Sequence, residues 1–128
     1  MQLHKLNEDL YISDQIELAD IPLLKAIGIK TIVNNRPDGE TVAQPNSQDI
    51  LVAAQKLGID YDYLPITPGC YPASLIDKFL TLLTIKKRPM VAFCRTGNRS
   101  VSLWALSQSQ KYGRDYVVAK AKSIGYDI

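Results

Sequence analysis

The segment Phe93-Cys94-Arg95-Thr96-Gly97-Asn98-Arg99-Ser100 holds the residues of this chain best suited to covalent chemistry. Cys94 follows the apolar run Met90-Val91-Ala92-Phe93, which reads as a buried strand. Val101-Ser102-Leu103-Trp104-Ala105-Leu106 reads as the helix that comes next. A short polar loop between strand and helix can curl with its backbone N–H groups inward, and the helix amino terminus adds a positive dipole. A thiol at the rim of such a cradle loses its proton readily and becomes a nucleophile beside an anion site. Arg99 offers a planar fork of donors suited to a tetrahedral oxyanion. A positive charge at a helix start is unfavourable by itself, so an arginine there needs an anion to offset it. Gly97 lets the backbone turn inward. Ser100 can donate to the sulfur or act as a capping hydroxyl. Arg95, Thr96 and Asn98 are expected to contribute N–H groups, with their side chains on the rim.

The rest of the chain must position these groups. Leu10-Tyr11-Ile12 and the β-branched Thr31-Ile32-Val33 read as strands, and a third strand is expected from Tyr61 to Ile66. Between them, Asp20 is expected to cap a helix through Leu23, Leu24 and Ile27 that stops at Gly28. Asn46 or Ser47 caps a second helix with Ile50, Ala53, Ala54 and Leu57 inward, ended by Gly58. Leu75, Ile76, Phe79, Leu80 and Leu83 mark a third, and a last helix turns Val117, Ala121 and Ile124 inward. Alternating strands and helices predict an α/β fold: a parallel sheet of about four strands with helices on both faces. Sites in such sheets form at the carboxyl ends of the strands. Three polar loops should converge there, at Asn34–Glu40, Thr67–Pro72 and Cys94–Arg99. Arg36 either braces the cysteine loop by bonding its carbonyls or lies on the surface. Asp38 and Glu40 either reach the pocket or form a solvated turn.

Composition bounds the rest. A chain of 128 residues with 46% hydrophobic and 22% charged residues suits one soluble domain spanning 1–128. A net charge of +2, with dispersed basic residues, gives no reason to expect nucleic acid as a partner. The Lys86-Lys87-Arg88 run reads as a solvated turn. No apolar stretch is long enough to span a bilayer, and the amino-terminal residues lack the apolar segment of a signal peptide, so a cytoplasmic location is expected. Two cysteines make no disulfide framework. Cys70 reads as a small loop residue, or as a thiol able to trap Cys94 under oxidation. His4 lies near a terminus expected to fray. No cluster has metal-ligand spacing, and neither metal nor cofactor is expected.

The strand, cysteine loop and helix resemble those of cysteine-dependent protein phosphatases and of rhodanese sulfurtransferases. Across nearly the whole chain, the sequence is similar to the bacterial beta-lactamase-hydrolase-like, phosphatase-like family. Asn34-Asn35-Arg36-Pro37-Asp38-Gly39-Glu40 and Cys94-Arg95-Thr96-Gly97-Asn98-Arg99-Ser100 carry the resemblance, supported by Tyr11-Ile12-Ser13-Asp14-Gln15 and Gly125-Tyr126-Asp127. It implies a cysteine-dependent phosphatase fold and a phosphorylated substrate, with Cys94 as nucleophile and Arg99 as anion anchor. Two features depart from the phosphatase pattern. Four residues separate Cys94 from Arg99, where those phosphatases have five, and the shorter spacing is that of rhodaneses. The loop Ile66-Thr67-Pro68-Gly69-Cys70-Tyr71 also lacks the aspartate that protonates a leaving oxygen, which leaves Asp38 as a candidate acid. A sulfur-donor substrate, with a persulfide on Cys94, is thus the rival expectation. A non-catalytic anion-binding module is a third.

Overall fold

The computed structural model describes residues 1–128. Five strands form one sheet: β1 (Leu3–Lys5), β2 (Leu10–Ser13), β3 (Thr31–Asn34), β4 (Asp60–Tyr63) and β5 (Met90–Phe93). Their order across the sheet is β1-β2-β5-β3-β4. β2, β5, β3 and β4 run parallel, as the alternating pattern requires, and β1 adds an antiparallel edge. This short edge strand is one more than the four expected. It carries His4, paired with Ile12, so His4 sits in the sheet and not in a frayed end.

The helices are α1 (Ile21–Ala26), α2 (Ser47–Lys56), α3 (Ala73–Ile85), α4 (Asn98–Tyr112) and α5 (Arg114–Ser123). Alternation along the strands assigns them to two faces. Val91 and Phe93 join Ile32, Ile21, Leu24, Ile50 and Ala54 in one core, under α1 and α2. Met90 and Ala92 join Val33, Phe79, Leu103, Trp104, Val117 and Ala121 in the other, under α3, α4 and α5. Burying one such large apolar side chain contributes about 1.5–3 kcal/mol, so each face stabilises the sheet independently.

Capping follows the sequence at α2, where Asn46 Oδ1 accepts the Asp49 N–H at 2.9 Å. At α1 it does not. The Asp20 carboxylate accepts the Glu17 N–H at 2.8 Å, closing the short 3-10 turn that precedes the helix. No helix is long and apolar enough to cross a membrane.

Parallel pairing places the carboxyl ends of four strands on one edge. Asn34 is level with Phe93, Ser13 with Phe93, and Tyr63 with Asn34. The segments that leave these residues are Asp14-Gln15, Asn35–Glu40, Leu64–Pro72 and Cys94–Gly97. β5 lies between β2 and β3, so Cys94 leaves the interior of the sheet and not its rim.

Candidate active site

Cys94 is buried, with 1% of its surface exposed. Its Sγ accepts the Gly97 N–H at 3.1 Å. Gly97 makes this possible with φ +97, a left-handed conformation that favours glycine, and α4 starts at the next residue. The loop carbonyls are tied away from the sulfur. The Gln15 N–H donates to Arg95 O at 3.2 Å, and the Tyr126 hydroxyl donates to Thr96 O at 2.9 Å. Arg95, Thr96 and Asn98 are exposed, as rim residues should be. The Asn98 N–H, however, is taken by Thr96 Oγ1 at 3.3 Å and does not face the sulfur.

Arg99 is buried at the first turn of α4. Its Nη1 and Nη2 meet the two carboxylate oxygens of Glu40 at 2.8 and 2.9 Å, and Nη1 also donates to Ile66 O at 2.9 Å. These Glu40 hydrogen bonds hold the guanidinium above its ordinary pKa, and the neighbouring sulfur of Cys94 raises it further. Arg36 joins the same carboxylate, donating from Nε to Glu40 Oε1 at 2.9 Å. Glu40 is thereby lowered to a pKa of about 2, first by its hydrogen bonds to Arg99 and then, against the penalty of burial, by Arg36. It stays a carboxylate at any ordinary pH.

Arg36 does not bond the carbonyls of the cysteine loop. It is 4% exposed, and its Nη1 donates to Gln15 Oε1 at 2.9 Å, so its brace is indirect, through the residue whose N–H holds Arg95 O. The Ser100 hydroxyl neither donates to the sulfur nor caps the helix. It donates to Asn35 Oδ1 at 2.8 Å inside the core. Asn35 also donates twice, from its N–H to Phe93 O and from Nδ2 to Leu64 O, at 2.8 and 2.9 Å. It locks the ends of β3 and β5, the segment after β4 and the start of α4 together.

Asp38 points elsewhere. Its Oδ1 accepts the Ser47 N–H at 2.8 Å, at the amino terminus of α2. Of the two acidic residues in that loop, the structure brings Glu40, not Asp38, to the arginine of the cysteine loop. Cys70 is exposed, and both cysteines are free. The sequence reading passed over three participants. Gln15, Asn35 and Tyr126 appear in the sequence only as members of the motifs that carry or support the resemblance, with no role of their own.

The family model for the beta-lactamase hydrolase-like protein, phosphatase-like domain, matches residues 2–111. The chain belongs to this family. A beta-lactamase hydrolase-like protein of Agrobacterium fabrum is 32% identical over 130 residues, covering 100% of this chain and 30% of that protein. The chain thus spans 30% of the length of the curated relatives it matches. A candidate phosphatase of Neisseria meningitidis superposes with a TM-score of 0.89 at 32% identity, covering 99% of this chain and 91% of that one. TpbA of P. aeruginosa, solved in complex with pTyr, shares the fold with a TM-score of 0.70 at 17% identity, covering 97% and 72%. The phosphatase-like domain therefore has the α/β fold of protein-tyrosine-phosphatase-like enzymes.

Proposed function

We propose that this phosphatase-like domain is a cysteine-dependent phosphoester hydrolase, with Cys94 as nucleophile and Arg99 as anion anchor. The observation that carries the reading is a sulfur that accepts a loop N–H, next to a guanidinium that Glu40 holds rigid and that interacts with that sulfur. The Cys94 thiolate attacks phosphorus. An S–P bond forms as the bond from phosphorus to the leaving oxygen breaks, and the leaving group departs with that electron pair. Water then attacks phosphorus, the S–P bond breaks, and thiolate and inorganic phosphate are released. Loop N–H groups and the face of Arg99 not used by Glu40 hold the equatorial oxygens as charge builds on them.

The acid side of this chemistry is sparse. Glu40 is permanently ionised between two arginines, and the Asp38 carboxylate is occupied at α2. The Thr67–Pro72 loop carries no carboxylate. Leaving groups must therefore depart with little protonation, which favours aryl over alkyl phosphates and agrees with a phosphotyrosine-like substrate.

One observation favours a second reading. The four-residue spacing from Cys94 to Arg99 makes a smaller cradle, suited to a persulfide. A sulfurtransferase would take the outer sulfur of thiosulfate onto the Cys94 thiolate, releasing sulfite as the S–S bond of thiosulfate breaks, and pass it to cyanide as thiocyanate, which restores the thiolate. One preparation assayed with p-nitrophenyl phosphate, with an alkyl phosphate, and with thiosulfate plus cyanide separates the readings. Aryl phosphate turnover without sulfur transfer supports the first. A Cys94 persulfide by intact mass, removed by cyanide and with no phosphate release, replaces it with the second. Neither reaction would leave an anion-binding module.

A further inference from the structure

We infer that Tyr126 is a positioning residue for Cys94, acting through the peptide group between Thr96 and Gly97. Two hydrogen bonds carry the inference, because they end on the same peptide. The Tyr126 hydroxyl donates to Thr96 O at 2.9 Å, and the Gly97 N–H donates to Cys94 Sγ at 3.1 Å. A peptide group is planar, so its carbonyl and its N–H turn together. Holding the oxygen outward keeps the N–H on the sulfur. A flip of this unit would aim the negative end of a carbonyl dipole at the thiolate instead.

Gly97 cannot hold the orientation by itself, because glycine accepts both signs of φ at similar cost. The restraint must come from outside the loop, and Tyr126 fills the space where it is needed. A Cβ added to Gly97 would collide with the phenol oxygen of Tyr126, and would crowd Ile12 Cγ2 at 3.1 Å. The phenol is itself fixed. Gly125, with φ +99, reverses the chain after α5, and the Tyr126 N–H donates to Ala121 O at 3.0 Å. His4 packs edge-on against the ring, with centroids 5.6 Å apart and planes at 86°. Tyr126 also stays protonated. Burial, reinforced by Cys94 and Asp14, pushes its pKa up to about 12, so it remains a donor wherever a thiolate is useful. The ionisable groups around the sulfur are then Arg99 from α4 and Tyr126 from the tail, with Asp14 beside Tyr126 at the end of β2. Tyr126 lies in the tail that follows α5, beyond the residues 2–111 that the family model matches.

The inference rests on Cys94 being the nucleophile of the proposed reaction, but its test reads the sulfur directly. Cys70→Ser leaves Cys94 as the single thiol, and its ionisation is followed by absorbance at 240 nm against the Cys70→Ser, Cys94→Ser double variant. Adding Tyr126→Phe keeps the ring and removes the hydroxyl. The acid dissociation constant of Cys94 should fall about three- to tenfold, the scale of one hydrogen bond losing its orientation. With p-nitrophenyl phosphate, kcat should fall near neutral pH while inhibition by inorganic phosphate, which reports on Arg99, changes less than about twofold. An unchanged dissociation constant in a folded Tyr126→Phe protein overturns the inference. If the Phe variant does not fold, the parent decides by NMR. The Gly97 amide, the Thr96 carbonyl carbon and Tyr126 Cζ should shift together as Cys94 ionises, and a Tyr126 signal that stays still overturns the inference. A parent that hydrolyses no aryl phosphate would sink the phosphatase reading alone, because the titration still judges Tyr126.

Discussion

Glu40 and Arg99 stand 59 positions apart in sequence and meet through two parallel hydrogen bonds of 2.8 and 2.9 Å. The carboxylate supplies the anion that an arginine at a helix amino terminus requires. It leaves the site short of neutral, however, because Arg36 binds the same group. Two guanidinium charges face one carboxylate charge, and the surplus favours a negative sulfur at Cys94. The planar fork is also fixed before any substrate arrives, which removes the cost of ordering a long side chain.

Replacing Glu40 with Gln should therefore weaken the fold. The loss at neutral pH should be about 1–3 kcal/mol, since two buried arginines lose their shared partner. The sign with pH follows from the lowered pKa of about 2. A depressed carboxylate contributes stability above its unfolded pKa of about 4.3 and loses it as pH falls toward the folded value. Denaturant unfolding of the parent and the Gln variant should differ at pH 7 and converge between about pH 4.3 and 2. A difference that persists at pH 2 would contradict this account of Glu40.

Cys94→Ser should abolish aryl phosphate turnover, by at least about a hundredfold, while the thermal midpoint moves little. Serine can still accept the Gly97 N–H, so the loop keeps its shape. Turnover close to that of the parent would remove Cys94 from the chemistry.

Arg99→Lys preserves charge but not the fork. One ammonium cannot meet both oxygens of Glu40, the Ile66 carbonyl and an anion in a single geometry. Inorganic phosphate should bind about ten- to a hundredfold more weakly, measured by calorimetry or by inhibition. Equal affinity would place Arg99 outside the anion site.

Asp38→Ala separates a structural aspartate from a catalytic one. Its carboxylate holds the first turn of α2 through Ser47, so the variant should lose about 1 kcal/mol of stability and keep kcat on aryl phosphates. A drop in kcat with unchanged stability, steeper for poor leaving groups, would make Asp38 the missing acid.

The strand, loop and helix around Cys94 were legible because three short-range signals agree there: an apolar run, a glycine in a polar loop, and a helical pattern. The alternation of strands and helices along the chain likewise made the parallel sheet legible, though not the order of its strands. β1 was not legible, because Leu3-His4-Lys5 is too short to show alternation. The third strand was expected to run to Ile66 but ends at Tyr63, and Pro65 has no N–H to continue the ladder. The chain stays extended past that point, with the Leu64 and Ile66 N–H groups on Asn34 O and Asn35 O. In the site, the need of Arg99 for an anion followed from the helix dipole, whereas the identity of that anion did not. Glu40 and Asp38 are two residues apart and similar in type, and only the path of the loop decides which reaches Arg99. The Ser100–Asn35 bond spans 65 positions and leaves no local trace.

The place of β5 in the sheet carries a consequence for synthesis. It is the last strand in the chain, yet it fills the gap between β2 and β3. A ribosome releasing this protein from its amino end exposes β2 and β3 well before the segment that joins them. Until residues 90–93 emerge, both strands have an unpaired inner edge, the kind of surface that invites association with other chains. The cysteine loop follows directly behind that segment. Closing the sheet and placing Cys94 are thus one event in the life of the nascent chain, and a chain stalled short of β5 carries open edges and no cysteine loop.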